Sequence, residues 1–382
     1  PPKVATASGT VTAVELSELC YQYTYDTRNR LVLKKIPGKE WEYIVYDNLD
    51  RPVLTQDANL RANNQWLFTK YDLLGRVAYT GVYTHSTAIA QHQMQQHVNT
   101  LNNSASKDLE NRTANSSEAL FYTSNNFPNT ETEVLTVNYY DSYVDLPAGL
   151  GQTVTNYYGI ASTAQTKGLA TVSKVGILGT NEWTTTVTYY DAKARPIYVY
   201  SHNAFLGTTD IIESKLDFVG KVEETRTTHQ KGTQEAIVTI DTFTYDHAGR
   251  VRKQTQKIGE HTETIAENEY DALGQLQTKK VGGDLQKVDY SYNVRGWLKN
   301  INQDNDANDN DLFNFTLRYN NPTSGEELFN GNISQTSWNT LNTDSSSKTY
   351  TYSYDALNRI VSASGTTTSN YDVSGIQYDK NG

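Results

Sequence analysis

Apolar and polar residues alternate along most of this chain with a period of two. Tyr21, Tyr23 and Tyr25 are separated by Gln22 and Thr24, and Tyr350, Tyr352 and Tyr354 by Thr351 and Ser353. That period places the tyrosines of each run on one face of a strand. Trp41–Tyr46, Trp66–Tyr71, Arg76–Tyr83, Val134–Tyr140 and Trp183–Tyr190 read the same way, rich in the aromatic and β-branched residues that strands favour. Three stretches depart from this. Val14–Leu19 predicts a turn of helix. Between Thr87 and Leu101 the apolar residues Ala90, Met94, Val98 and Leu101 fall at helical spacing, which predicts a short amphipathic helix. Residues 102–126, rich in Asn and Ser, read as a long loop with some helix.

One motif recurs at strand ends. Tyr270-Asp271-Ala272-Leu273-Gly274-Gln275-Leu276 returns as Tyr71-Asp72-Leu73-Leu74-Gly75-Arg76-Val77, as Tyr245-Asp246-His247-Ala248-Gly249-Arg250-Val251 and as Tyr354-Asp355-Ala356-Leu357-Asn358-Arg359-Ile360. Asp at the first position and Gly at the fourth suit a type I turn, because the carboxylate accepts hydrogen bonds from amides just ahead. A left-handed fourth residue then closes the hairpin through a bulge. Asn29, Asp50 and Asn358 stand where Gly lapses, and such side chains tolerate positive φ. The following Arg can pair with the Asp across the turn or lie on a Tyr ring. Copies lapse further at Tyr157-Tyr158-Gly159, at Leu216-Asp217, at Tyr292-Asn293-Val294-Arg295-Gly296-Trp297 and at Tyr319-Asn320-Asn321-Pro322. Asn332–Trp338 is a further strand candidate. First-Tyr positions 25, 46 and 71 are 21 and 25 residues apart, the mark of an array rather than of a dozen active sites.

The expected organisation is a lead-in at 1–20 and an array from 21 to 382, interrupted by an insertion at about 85–133 that caps or plugs the array, covers a sheet edge, or is a surface excursion. The chain opens on Pro1-Pro2-Lys3 and stops inside another motif copy at Tyr378-Asp379, so it reads as a segment cut at both ends, with no signal peptide at its start.

Composition narrows the function. With 28 tyrosines and 37% hydrophobic residues the chain is too aromatic for disorder and lean for a thick core, which suits a single-layer sheet partly wet on both faces. A net charge of −10 without a basic run argues against nucleic acid. One cysteine, Cys20, excludes an internal disulfide framework. No apolar run reaches the length of a membrane span.

Catalytic signatures are missing from the sequence: no Gly-x-Ser-x-Gly, His-Glu-x-x-His, P-loop or Gly-x-Gly-x-x-Gly occurs. His92 and His97 are five apart, a poor metal pair on a helix. Asp304, Asp306 and Asn308 are spaced as at the start of an EF-hand, but Asp309 holds the place of its Gly and Phe315 that of its bidentate Glu. That leaves calcium at 304–311 open, with a polar loop the simpler reading. The carboxylates of Glu223 and Glu224 are expected on solvated strand edges. No catalytic, cofactor or metal residue is therefore assigned, and the chain is expected not to be an enzyme. A hydrolase would need two carboxylates facing each other across a cleft.

Through the motif at Tyr71, Tyr245 and Tyr354, and through Tyr292–Trp297, the chain resembles the Rhs/YD-repeat family over roughly residues 21–382. The resemblance implies an all-β fold, one long sheet of hairpins spiralling into a hollow shell. In bacterial relatives the shell encloses a C-terminal toxin or effector used in intercellular competition, on a secreted or cell-surface protein. In teneurin-like relatives a similar shell serves adhesion, which is the alternative here: a surface module holding carbohydrate or protein. The implied partners are the chain's own enclosed cargo, secretion machinery or a surface ligand. The core region with an aspartic self-cleavage site that follows the repeats in family members has no match before Gly382.

Overall fold

In the computed structural model the described residues are 11–101, 109–113, 120–283, 285–302, 311–341, 344–365 and 372–378. The chain is all-β. It divides into two compact units, and the division, between Val238 and Thr239, falls within a strand.

The first unit begins with helix α1 (Ala13–Leu19), opened by a capping box between Thr12 and Glu15. Its strands are β1 (Gln22–Tyr25), β2 (Leu31–Lys35), β3 (Glu42–Tyr46), β4 (Pro52–Gln56), β5 (Gln65–Tyr71), β6 (Val77–Thr84), β7 (Thr132–Tyr140), β8 (Ala170–Gly176), β9 (Trp183–Tyr190), β10 (Pro196–Asn203), β11 (Thr208–Leu216) and β12 (Val222–Lys231). Each pairs antiparallel with the next. Helix α2 (Ala58–Ala62), which the residue pattern does not announce, links β4 to β5, and α3 (Gln91–Leu101) follows β6.

The second unit carries β13 (Ile237–Tyr245), β14 (Val251–Ile258), β15 (His261–Tyr270), β16 (Leu276–Val281), β17 (Gln286–Tyr292), β18 (Leu298–Ile301), β19 (Phe313–Arg318), β20 (Gln335–Thr340), β21 (Asp344–Tyr354) and β22 (Ile360–Gly365). Again each pairs antiparallel with its successor. In such a meander odd-to-even connections lie at one sheet edge and even-to-odd connections at the other. The Tyr-Asp motifs all fall on odd-to-even connections, so within each unit they line a single edge. That is why the motif recurs once per two strands.

The units differ in what covers the sheet. Every buried apolar side chain among the described residues lies in the first unit. There the strand residues Trp66, Phe68, Tyr79, Val137, Tyr139, Val172, Val187 and Tyr189 meet Met94 and Val98 of α3 and Tyr122 and Tyr143 of irregular segments. The segment between β6 and β7 is therefore a covering layer, not a surface excursion. In the second unit the buried residues are polar, Thr278, Asn302, Gln335 and their like. The single-layer expectation holds there and fails in the first unit.

Several local expectations need correction. The segment at 85–131 is not the only interruption: irregular stretches also separate β7 from β8 and β19 from β20. Of 102–126, residues 109–113 and 120–126 carry no helix, and the rest of the stretch lies outside the described residues. Tyr319-Asn320 does not open a five-residue turn; the Leu328 amide bonds to the Tyr319 carbonyl across a wide loop. The strand expected at 332–338 begins at Gln335. The Asp/Asn tract with Asp304, Asp306, Asn308 and Asp309 lies outside the described residues.

Candidate functional site

The motif forms one turn many times over. At Asp246 the amide bonds to the Arg250 carbonyl and the carbonyl accepts from the Gly249 amide, both at 3.0 Å. Oδ1 accepts the amides of Ala248 and Arg250, and Oδ2 accepts Arg250 Nε at 2.7 Å. The same Arg Nε to Asp Oδ2 bond, 2.7–2.8 Å long, recurs at Arg30, Arg51, Arg76, Arg195 and Arg359. The pairing register slips by one residue at each turn, for example between Thr244 and Tyr245, as a closing bulge requires. Amides of the turn, Arg250's and Arg359's foremost, hold the carboxyls of Asp246 and Asp355 below the usual range, and the guanidinium adds to this.

The turn also reaches the next repeat. Of these six guanidinium groups, that of Arg195, followed by Leu216, donates to the Asp217 carbonyl. The other five lie over the motif tyrosine that follows: Arg30 on Tyr46, Arg51 on Tyr71, Arg76 on Tyr140, Arg250 on Tyr270 and Arg359 on Tyr378, at 4.2–4.7 Å from the ring centroid. That tyrosine's hydroxyl donates back to the carbonyl just beyond the Arg position. Tyr46 to Leu31, Tyr71 to Pro52, Tyr140 to Val77 and Tyr190 to Ala170 make four such bonds in the first unit. Tyr270 to Val251, Tyr292 to Leu276, Tyr319 to Leu298, Tyr354 to Ile333 and Tyr378 to Ile360 make five in the second. All nine are 2.6–3.1 Å long. Both roles foreseen for the Arg are thus filled at once, but the ring belongs to the neighbouring repeat.

The fourth turn position has a second reason to be glycine. That reason is seen at Gly274, where a Cβ would stand 2.6 Å from Arg250 Nη1; at Gly220 a Cβ would make only ordinary contact with Arg195, at 3.5 Å. Ala194 occupies this position at φ 60°. In the preceding turn the Arg place is taken by Leu169, whose carbonyl accepts the Asp141 amide, so no guanidinium is supplied there.

Asp141 shows how insertions enter the ladder. It opens a motif, but 27 residues separate it from Gly168, whose amide donates to its Oδ1. The excursion sits inside the turn. Arg76 grips both Asp72 and Asp141, and its hydrogen bonds push the Asp141 carboxyl down to about 2. Within that excursion Asn156 takes the Asp role, its Oδ1 accepting the amides of Tyr158 and Ile160, so the lapsed copy near Tyr157 is a complete turn.

Beside Arg76 a cleft of about 340 Å³ is lined by Asp72, Glu110, Arg112, Tyr122, Tyr140 and Asp141 among others. Arg112 donates to the carbonyls of Tyr140 and Ser142 and lies 4.8 Å from the Tyr139 centroid. Next to the cleft Lys70 is buried on the core face of β5, 3.1 Å from Glu110. Burial pushes its amine down to about 8 against the opposing pull of Glu110. The covering helix uses side-chain amides as a substitute strand. Gln91 donates to the Ile44 carbonyl, and Gln95 exchanges bonds with both the amide and the carbonyl of Tyr46, where β3 no longer pairs with β2.

Of the other residues singled out in the sequence, His97 packs edge-on against Phe127 and His85, and His92 lines a shallow groove with Tyr43. Glu223 pairs with Lys215 at 3.1 Å on a half-exposed face of β12, a strand paired within the sheet rather than the edge expected. Among the described residues no three His, Cys, Asp or Glu side chains gather as a metal site would need, and no helix is long and apolar enough to cross a membrane.

No protein-family model matches this chain, and no curated protein matches it. Solved structures do. The chain is 14% identical to part of a Photorhabdus luminescens Tc holotoxin pore carrying a TccC3 mutation, with a TM-score of 0.44, covering 92% of this chain and 16% of that one. It is likewise 14% identical to TcdB2–TccC3 without its hypervariable C-terminal region, TM-score 0.43, with the same coverage. TcdB2–TccC3 itself gives 13% identity and a TM-score of 0.42, covering 92% of this chain and 17% of that chain. The chain thus spans 16–17% of the length of the solved proteins it is similar to.

Proposed function

We propose that this chain is a wall segment of an Rhs/YD-repeat β-cage, a non-catalytic part of a secreted or cell-surface bacterial protein that encloses or displays a C-terminal toxin or effector. The observation that carries this reading is the turn ladder. Nine Tyr hydroxyl bonds tie a repeat to the one before it, and five Arg–Tyr stacks add to them where the motif keeps both residues. Such nearest-neighbour construction suits a wall that can be extended at will. Most motif polar groups are engaged in holding the wall, which leaves the enclosed volume, rather than a pocket, to do the work.

The test uses the natural full-length protein. Limited proteolysis should leave the segment following the wall intact, and cutting should begin once the ladder is opened by Gly274→Val. Equal digestion of that segment in both proteins, with no enclosed density by electron cryo-microscopy, would overturn the reading.

A second reading, a glycan- or protein-binding surface, is favoured by one place. Tyr21, Tyr23 and Tyr25 are 61%, 47% and 58% exposed, unlike the buried core tyrosines. A glycan array on which Tyr23→Ala abolishes a specific hit would favour it over the cage, and an array without hits would remove its carbohydrate form.

A further inference from the structure

Lysine has no obvious place where Lys70 stands. Trp66, Phe68 and Lys70 alternate on β5 and all face the core of the first unit. Lys70 is 3% exposed, Glu110 0% and Asn126 3%. Lys70 Nζ lies 3.1 Å from Glu110 Oε1 and 2.5 Å from the main-chain oxygen of Asn126. Glu110 also accepts the Thr123 hydroxyl and the amides of Asn125 and Asn126, so its carboxylate bridges the amine and the asparagine. The Asn126 side chain is the unexplained part: neither its Oδ1 nor its Nδ2 has a partner, although both are buried. A buried amide left without partners is costly, and it calls for a reason.

We infer that Lys70 and Asn126 are joined in the folded protein by an intramolecular amide bond, with Glu110 as the group that moves the proton. Lys70 Nζ bonds to the main-chain oxygen of Asn126, the residue whose own side-chain amide is left unpartnered, so the amine and the carbon it would attack belong to one buried cluster. Burial leaves a share of the amine neutral at physiological pH. The neutral Nζ adds to Cγ, and Glu110 takes a proton from nitrogen and returns it to Nδ2. The Nζ–Cγ bond forms, the Cγ–Nδ2 bond breaks, and ammonia leaves. No oxidant or reductant is involved. The product replaces a buried ammonium and a buried unpaired NH2 by one neutral secondary amide, whose N–H can bond to Glu110. It fastens the covering segment to β5 by a covalent loop between residues 56 apart. Neither the ladder nor the cage reading depends on it.

Mass spectrometry of the purified chain decides the matter. The intact mass should fall short of the sequence mass by one ammonia. Trypsin should leave Lys70 uncut, and fragmentation should show the Lys70 peptide branched onto the Asn126 peptide. Lys70→Arg, Glu110→Gln and Asn126→Ala should each restore full mass and separate peptides. A wild-type chain of full mass, cut at Lys70, would overturn the inference and leave an ordinary buried ion pair. So would an ammonia loss that persists in Lys70→Arg, since that would be cyclisation at Asn126 alone. The wild-type map stands even where a variant fails to fold.

Discussion

Gly274→Ala isolates the two demands that the ladder makes on its fourth turn position. Gly274 has φ 85°, where a side chain costs about 1 kcal/mol or somewhat more. The new Cβ would also stand 2.6 Å from Arg250 Nη1. A guanidinium can swing away, but it then leaves the Tyr270 ring, 4.2 Å beneath it, and loosens its bond to Asp246. A stack of this kind is worth about 0.5–1 kcal/mol, so the total should be close to 2 kcal/mol. Gly259 is the control: its φ is 58° and nothing lies within 4 Å of its Cβ, so Gly259→Ala should show the backbone cost alone. In an Arg250→Ala background the excess at Gly274 should vanish, a coupling of about 1 kcal/mol. Urea unfolding gives the totals. Hydrogen exchange of the peptide 261–281 gives the local opening energy, which matters because the chain has two units. Equal losses at Gly274 and Gly259, or no coupling to Arg250, would refute the claim that one repeat is shaped by the guanidinium of the repeat before it.

Other expectations follow from the same geometry. Ala194→Gly should stabilise the first unit by up to about 1 kcal/mol in urea unfolding, because it removes the strain at φ 60° and no guanidinium approaches. Tyr270→Phe should cost about 1 kcal/mol by the same assay, the worth of its hydroxyl bond to the Val251 carbonyl. Met94→Ala should cost about 2–5 kcal/mol in the first unit, since Met94 is fully buried; a loss under 1 kcal/mol would return α3 to a surface excursion. Burial raises the hydroxyl pKa values of Tyr71, Tyr140 and Tyr354. The folded chain holds these protons longer than the unfolded one, so the stability they confer is full below pH ~10 and is lost as pH rises through the folded values. Tyrosinate absorbance measured alongside unfolding should show the two losses together.

The turns were legible because their chemistry is local. Asp, a left-handed residue and Arg lie within five positions, and each contact among them is dictated by spacing. What escaped was whatever depends on the neighbouring repeat. The motif's Tyr and Arg flank one turn, yet each finds its partner in the neighbouring repeat, as Arg250 finds Tyr270 and Arg76 finds Tyr140. The insertion inside the turn at Asp141 escaped because the motif's two halves are parted by an irregular stretch with a turn of its own. Gln91 and Gln95 read as a polar helix face, and nothing local says that their amides complete a sheet. Lys70 could have been flagged: it breaks the alternation of Trp66 and Phe68 on a core face. Its partner Glu110, 40 residues on, could not have been named.

The contrast between the units bears on how such a chain can be altered. In the second unit no buried apolar side chain stands behind the sheet among the described residues, so its stability rests on strand pairing, the five hydroxyl bonds and the stacks of the ladder. Each of these terms is worth on the order of 1 kcal/mol and each joins only adjacent repeats. Loss of one rung should therefore open its own hairpin and the next while leaving others protected. In the first unit Met94, Val98, Tyr122 and Tyr143 tie non-adjacent strands together through a shared core. Damage there should spread, because a cavity under α3 weakens β3 to β7 at once. The insertions thus change the mode of cohesion, from links in series to a common core. The ladder survives the larger of them: Arg76 still lies on Tyr140 although the segment between β6 and β7 is looped out of the sheet.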